Sequence, residues 1–304
     1  MANEITFANN ANLAIAAVLM QDMYQLTADR VDIRSTVMSV QGTQGQATLA
    51  KKIRQVAFDD IMAAPGEITT INPTALGDDA ATVTAALQGL RYDAGDEAMI
   101  AGVSPSESEL AFGLAMSGIR RASALICNVI DGFTATAGTP GAALTVDDIY
   151  DALFDLVRAN VEGSAPTFML SNKQYTDFSE SLRGEPDAGF ASPAQDMIGF
   201  KSQGYKGSWR GANFWTSAQV YNDGTDDYGA CYLTGGAAYM ELTVDQIRAV
   251  ITDNAYLNAA PSGSVMYVEK QRIAEDHNTK FVGAMIAGCI LNEDVKGTTI
   301  RTVD

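Results

Sequence analysis

Residues 104–132 carry the pattern that most restricts how this chain can fold. Ser104-Pro105-Ser106-Glu107 sets a capping serine before a proline at the first helical position, with a glutamate three residues after the cap. Such an arrangement starts a helix because it satisfies the free N–H groups of the first turn. Behind it, Ala111, Ala115, Gly118, Ala122, Leu125 and Val129 recur at spacings of three and four, and Phe112, Met116, Ile119, Ile126 and Ile130 form a neighbouring stripe. Two adjoining apolar stripes predict a helix buried over much of its circumference. At ~1.5 Å per residue, the stretch from Pro105 to Ile130 would span roughly 39 Å, the width of a domain, before Asp131-Gly132 ends it. The remaining elements must be arranged around this spine. It is not a membrane span, because Arg120 and Arg121 at its middle would each cost about 2.5 to 3.5 kcal/mol in a bilayer.

Before the spine the pattern shifts to short segments rich in threonine and β-branched residues. Glu67–Ile71 and Ala81–Leu87 read as strands, the second with Val83, Ala85 and Leu87 on one face and Thr82 and Thr84 on the other, separated by a turn at Ala75-Leu76-Gly77-Asp78-Asp79. Ala47–Met62 fits a helix through Leu49, Ile53, Val56 and Asp60, or a projecting strand through Leu49, Lys51 and Ile53; periodicity leaves both open. After the spine, Thr145-Val146-Asp147-Asp148 caps an amphipathic helix with Ile149, Leu153, Leu156 and Val157 on its apolar side, expected to end near Gly163. Pro166–Leu170 reads as a buried strand and Ser171 as the cap of a third helix stopping at Gly184. Glu185–Lys206 reads as loop, Asn213–Val220 and Cys231–Leu233 as a hairpin around Asn222-Asp223-Gly224, and Val265–Ile290 as two closing strands.

The inventory excludes most chemistry. With 37 acids against 20 bases, of which only eight are lysine, the chain carries a net charge of −17. It lacks the broad basic face that grips nucleic acid. One histidine, His277, cannot build a multi-histidine metal site, and its place in Glu275-Asp276-His277-Asn278 reads as a solvated turn. Cys127, Cys231 and Cys289 are odd in number and widely spaced, which fits buried thiols in a reducing compartment. No nucleophile elbow, dinucleotide fingerprint or phosphate-binding lysine loop occurs, and Gly42-Thr43-Gln44-Gly45 reads as a flexible hairpin. Asp223-Gly224-Thr225-Asp226-Asp227 offers oxygen ligands of the kind calcium takes, but without the glutamate that closes an EF-hand loop it reads as a hairpin tip. Asp59-Asp60, Asp78-Asp79 and Asp147-Asp148 are explained by turns and capping, and Trp209 and Trp215 by core or interface anchoring. The apolar run Leu13–Met20 has Glu4 before it and no base until Arg30, unlike a secretory signal.

The order of elements resembles the major capsid protein of tailed phages, the Hong Kong 97 type fold. The resemblance is carried by Gly66-Glu67-Ile68-Thr69-Thr70-Ile71 leading to Ala81-Thr82-Val83-Thr84 and Asp96-Glu97-Ala98. Leu144-Thr145-Val146-Asp147-Asp148-Ile149 with Pro166-Thr167-Phe168-Met169-Leu170-Ser171, and Arg210-Gly211-Ala212-Asn213-Phe214-Trp215-Thr216-Ser217, complete it. It implies an α+β chain with an N-terminal arm over 1–34, an E-loop over 35–80, a peripheral domain of 81–142 and 243–304 containing the spine, and an α/β axial domain over 143–242. It also implies a structural subunit, not an enzyme, that forms pentamers and hexamers in an icosahedral virion shell around double-stranded DNA, assembled in the host cytoplasm. Its partners would be a separate scaffolding protein, a portal and a decoration protein, with no sequence-specific nucleic acid and no membrane. No catalytic residue, cofactor or metal ligand is implied. Lys51, Lys52 and Arg54, three bases within four positions of the E-loop, are the candidate intersubunit contacts. An encapsulin-like compartment shell shares the fold and stays open. So does, from another class, an α/β enzyme or ligand-binding domain using acids around Ser171–Lys173, although it would leave the β-rich insertion before the spine unexplained.

Overall fold

The computed structural model describes residues 4–5, 33–42, 49–57, 77–102, 107–159, 164–184, 204–251, 265–273 and 275–303. In chain order, β1 (Glu4–Ile5) is followed by a 3-10 turn at Arg34–Thr36, β2 (Met38–Gln41), β3 (Ala50–Ala57), β4 (Gly77–Thr84), β5 (Ala86–Gly95), α1 (Asp96–Ile100) and the spine α2 (Glu107–Ile130). Then come β6 (Ala135–Ala137), α3 (Val146–Arg158), β7 (Thr167–Leu170), α4 (Asn172–Gly184), β8 (Tyr205–Trp209) and β9 (Ala212–Thr216). The chain finishes with β10 (Tyr221–Asn222), β11 (Asp226–Tyr232), β12 (Ala237–Glu241), α5 (Val244–Arg248), β13 (Met266–Ile273), β14 (Asn278–Leu291) and β15 (Gly297–Val303).

The strands make two mixed sheets and one hairpin. The first sheet runs β1-β5-β14-β12-β2, with β13 also paired to β14; the second runs β6-β15-β11-β7-β9-β8, with β10 on β11; among the described residues β3 and β4 pair only with each other. Each sheet gathers strands from distant parts of the chain: β2 joins the first sheet from before the hairpin, and β15 joins the second from the C-terminal end. The C-terminal half of α2 fills the space between the sheets, where Ile126, Cys127 and Ile130 pack with Phe133, Met169, Tyr232, Tyr239 and Met285. Each fully buried aliphatic or aromatic side chain contributes about 1.5 to 3 kcal/mol. A second core lies under the second sheet, where Ile149, Ala152 and Leu156 of α3 and Phe178 of α4 meet Phe168, Trp209 and Phe214. Phe214 is stacked between Phe168 and Phe178, at centroid distances of 4.6 and 5.1 Å.

The spine follows its sequence pattern over Glu107–Ile130; the capping residues 104–106 lie outside the described residues. α3 has the expected cap, with the Thr145 hydroxyl accepting from the Asp148 N–H while the Asp148 carboxylate accepts from the Thr145 N–H. α4 has the same device: Ser171 Oγ accepts the Gln174 N–H at 3.0 Å, and Gln174 Oε1 accepts the Ser171 N–H at 3.1 Å.

Several expectations need correction. The ambiguous segment around residue 50 is strand, because β3 pairs antiparallel with β4 from Ala50↔Thr84 to Ala57↔Gly77. That pairing draws Gly77, Asp78 and Asp79 out of the expected turn; Glu67–Ile71 lies outside the described residues. Leu87 does not share the buried face of Val83 and Ala85 but is 65% exposed, because the strand bends at Ala85 and Leu87 belongs to β5. β5 continues to Gly95, paired along its length with β14. α3 stops at Arg158, well short of Gly163, and Val157 is 72% exposed. Tyr205 and Lys206 are strand, not loop. The turn at 223–225 is real but joins Tyr221–Asn222 to Asp227–Tyr228, whereas β9 pairs with β7 and β8. The chain does not close on β14, since β15 adds a further strand along the whole of β11. Gln88–Gly95 and Gly297–Val303 both alternate polar with apolar residues weakly and are held by ladders to partners far away in sequence.

On the spine, a Cβ at Gly118 would meet Met266 Sδ, with Met285 Sδ 3.6 Å away, so this position faces the first sheet as its stripe predicted. Beside it, Gln88, Leu90, Leu114, Ser117, Arg121, Met266 and Met285 line an open cleft of about 170 Å³. Gly118→Leu should therefore cost about 1 kcal/mol, the low end for overpacking, because the cleft gives Met266 room to move and leucine improves helix propensity. Thermal denaturation checks this, and an unchanged or raised melting temperature would contradict it.

Candidate functional site

The β3–β4 hairpin is built differently from the rest of the molecule. Among the described residues its strands are the only two in their sheet, and an isolated two-stranded sheet is marginal in water. Its base is anchored: Val83 is fully buried, and Ile53 packs on the cluster of Val40, Val83, Ala85, Ala238 and Met240. The Ala85 N–H donates to the Leu49 carbonyl at 2.7 Å, closing the base across the two strands. Strand alternation then sends Lys51 and Lys52 to opposite faces. Lys51 Nζ donates to the Gln41 carbonyl at 2.9 Å, tying the hairpin to β2, while Lys52 is exposed. Arg54 lies on the same strand opposite Ala80. The two lysines thus divide between an internal tie and an outward charge.

The acidic loop is held by donors from its own fold. Asp223 accepts the N–H groups of Thr225 and Asp226 and the hydroxyl of Tyr228. The Asp226 N–H, then the Tyr228 hydroxyl and the Thr225 N–H, hold the Asp223 carboxyl below the usual carboxylate range. Buried Asp226 accepts from the Gly141 N–H at 2.8 Å and from Arg301 Nε at 2.9 Å, and Asp227 accepts from Asn222 Nδ2. These oxygens pin the hairpin tip to β15 and to the segment before α3, as structural ties rather than a cation cage. Among the described residues, no group of three or more His, Cys, Asp or Glu side chains could hold a metal ion.

His277 occupies the turn between β13 and β14 with φ 47°, its side chain 84% exposed and its Nδ1 4.0 Å from Asp96 Oδ2. Its carbonyl accepts the Asp96 N–H, a backbone role that the imidazole does not share. Cys127 and Cys231 are buried and Cys289 half-buried, all as free thiols. Burial pushes the Cys231 thiol up and that of Cys289 up to about 12, so neither is a ready nucleophile. Trp209 is a core residue and Trp215 a half-buried one against Tyr205. No described helix is long and apolar enough to cross a membrane.

Two positions that sequence reasoning passed over stand out in three dimensions. Gln174 is completely buried, with Nε2 donating to the carbonyls of Asp227 and Ile300 and to Thr302 Oγ1 at 2.9 to 3.2 Å; the Ser171-x-x-Gln174 capping box was its signal. Phe154 is half-exposed on the outward side of α3, and its signal was an aromatic residue outside the Ile149, Leu153, Leu156 stripe.

No protein-family model and no curated protein matches the chain. Solved structures do. A chain from Mycobacterium phage Che8 aligns over 84% of this chain and 85% of its own length, with a TM-score of 0.58 and 14% identity. The head structure of Helicobacter pylori bacteriophage KHP40 aligns over 90% and 91%, with a TM-score of 0.58 and 8% identity. The chain has the Hong Kong 97 type fold. The holo-SrpI encapsulin complex from Synechococcus elongatus aligns equally well, over 92% and 94%, with a TM-score of 0.59 and 13% identity. The Hong Kong 97 type fold here is mixed α+β, built from the spine, four shorter described helices, two mixed sheets and the hairpin.

Proposed function

We propose that the chain is the structural subunit of a protein shell, assembling as pentamers and hexamers into an icosahedral tailed-phage capsid that encloses double-stranded DNA. The observation that carries this reading is the extent of the likeness, which covers 84% to 92% of the chain in phage and encapsulin structures and does not rest on any one motif. The hairpin supports it: a two-stranded projection with its only described apolar anchors at its base gains stability from lying on a neighbour. In this reading β3 and the first half of β4 belong to the E-loop of 35–80, α2, β5, β13 and β14 to the peripheral domain, α3, α4 and β7–β11 to the axial domain, and residues 1–34 to the arm, while β1, β2 and β12 in the first sheet and β6 and β15 in the second pair across those bounds. The role is structural and needs no catalytic group or cofactor. A net charge of −17 suits a container that must not adhere to packaged DNA, whose charge recurs every ~1.7 Å along the helix axis. A separate scaffolding protein, a portal and a decoration protein are the partners this reading entails. The second reading, an encapsulin-like compartment, is favoured by the match to the Synechococcus complex over 94% of that chain.

Expression with and without a scaffold, followed by electron microscopy, tests the reading. Closed shells are the expected result. Nuclease-protected DNA in particles made during infection supports the capsid, protein cargo supports the compartment, and monomers under every salt and scaffold condition would sink both.

Within the shell, Lys51, Lys52 and Arg54 meet acidic surface of a neighbouring copy. Changing all three to glutamine should lower assembly yield at low salt and flatten its salt dependence, since the screening length falls from ~10 Å at 0.1 M to ~3 Å at 1 M. Because Lys51 also ties the hairpin to β2, Lys52→Gln alone should retain part of the effect without loosening the base. Light scattering across that salt range measures it, and identical curves for wild type and variant would place the cluster in solvent.

A further inference from the structure

We propose that Met266 and Met285 form a peroxide-reactive redox switch beneath the spine, where conversion of their thioethers to sulfoxides loosens the contact between α2 and the first sheet. The strand register brings the two together. Met266 of β13 lies opposite Met285 of β14, and Met285 lies opposite Gln88 of β5. Directly opposed residues share a face, so the three form a row across the sheet. The spine places Gly118 over this row. A Cβ on Gly118 would lie 2.5 Å from Met266 Sδ and 3.6 Å from Met285 Sδ, so both sulfurs face the gap left by its missing side chain.

That gap is open. Met266, Met285 and Gly118 belong to the lining of the cleft of about 170 Å³. A single water needs only ~15 Å³, so hydrogen peroxide, with one oxygen more than water, has room to enter. The other well-buried methionines among the described residues lack this access: Met169 is 0% and Met240 2% exposed, each inside a closed cluster. Burial alone would not separate Met285, at 4%, from these two; the cleft does.

The reaction needs no group beyond the oxidant. A sulfur lone pair attacks one peroxide oxygen, the O–O bond breaks, and the proton on the transferred oxygen passes to the departing hydroxide. Sulfur is oxidised by two electrons to the sulfoxide and the peroxide is reduced to water. The product is polar and larger, and it arises where α2 is held. Met266 packs both on the cluster containing Ala122, Ile126 and Met285 and on that of Ala94, Leu114 and Phe281, so its oxidation acts on two contacts of the spine at once.

Polar groups at the rim keep this change within the folded state. Arg121, three residues beyond Gly118 and thus on the same side of the helix, donates from Nε to Gln88 Oε1 at 2.9 Å. This bond uses one of the five N–H groups of its guanidinium, and Ser117 adds a hydroxyl to the cleft wall. A sulfoxide oxygen formed beside Gln88 therefore has donors at hand, which an all-apolar pocket would deny it. Since methionine sulfoxide is reducible enzymatically, the change is reversible.

Treatment of the full chain with dilute hydrogen peroxide, followed by peptide mass spectrometry and thermal denaturation, tests the switch. Met266 and Met285 should gain oxygen roughly tenfold faster than Met169 and Met240, the melting temperature should fall by about 5 °C, and methionine sulfoxide reductase should restore it. Met266→Leu/Met285→Leu, a nearly volume-conserving pair of exchanges, should melt close to wild type and lose the peroxide response. Met266→Leu alone is the milder variant and should lose part of it. In Arg121→Leu the fall on oxidation should deepen, and a fall equal to that of wild type would overturn the donor role of Arg121. Oxidation of Met266 and Met285 no faster than that of Met169 and Met240, or complete oxidation of the pair with an unchanged melting temperature, would overturn the proposal. So would an undiminished fall in the double leucine variant, which would assign the response to other methionines.

Discussion

Gly288→Ala is expected to destabilise the subunit by about 3 kcal/mol, lowering its melting temperature by on the order of 10 °C, and to abolish assembly even where folded subunit survives. β4 and β5 are one long strand interrupted only at Ala85, and the β5–β14 ladder ends at the Ala86↔Ala287 pair. One residue further on, the carbonyl of Thr84 rests directly against the α-carbon of Gly288. A Cβ there would collide with that oxygen, and would also lie 2.8 Å from the Thr84 carbonyl carbon and 3.0 Å from Ala85 Cα. These are backbone atoms of the bend from which the hairpin leaves the first sheet, so no side-chain rotation relieves the contact. The bend must move, and the hairpin is re-aimed with it. Gly113→Ala is the matched control: a Cβ on that spine residue meets nothing within 4 Å, and the exchange should stabilise the helix by about 0.5 to 1 kcal/mol. Equal melting temperatures for Gly288→Ala and wild type would show that the bend is not seated on this glycine.

The bend also marks the limit of what could be read from the sequence. Elements whose signals are local were legible: the spine from its two stripes, α3 from Thr145 and Asp148, and β7 with α4 from the run ending at Ser171. Their start, face and partner type follow from a few neighbouring residues. Elements defined by distant pairing were not. β15 buries Thr298, Thr299 and Thr302 and is strand because β11 lies alongside it, a fact that Gly-Thr-Thr-Ile-Arg-Thr-Val does not announce. Leu87 and Val157 read as inward because periodicity counts apolar residues, whereas the bend at Ala85 turns the first outward and the packing of α3 leaves the second in solvent. Of the candidate contact site, the basic triplet was visible as a run of charges. That Lys51 is spent on Gln41 while Lys52 faces solvent depends on pairing with β4.

Gln174 carries the other large expected effect, and its chemistry allows a sharper test than truncation. Its side chain is wholly buried and joins three elements, accepting from Ser171 at the start of α4 while donating to Asp227 on β11 and to Ile300 and Thr302 on β15. Gln174→Leu keeps most of the volume but removes every partner, leaving two carbonyls, a hydroxyl and an N–H without this amide. Since each buried polar group left unpaired costs about 1 to 3 kcal/mol, a loss of about 4 kcal/mol is expected. Gln174→Glu keeps the shape and the acceptor but turns the donor end into a carboxylate facing the Asp227 and Ile300 carbonyl oxygens. Burial and those oxygens both oppose the charge, so the folded-state pKa of the introduced carboxyl must lie above the unfolded value of ~4.3. The unfolded chain then binds fewer protons than the folded one between the two pKa values, and stability falls as pH rises through that window, by up to ~1.4 kcal/mol per unit. Relative to wild type at the same pH, the charge penalty should vanish below pH ~4 and reach its full size once pH exceeds the raised pKa, whereas Gln174→Leu should show a pH-independent deficit. Denaturant unfolding of the three proteins from about pH 4 to 8 measures this. A Gln174→Glu deficit that stays flat over that range, equal to that of Gln174→Leu, would show that water reaches the site and that the amide does not join the two strands to the helix.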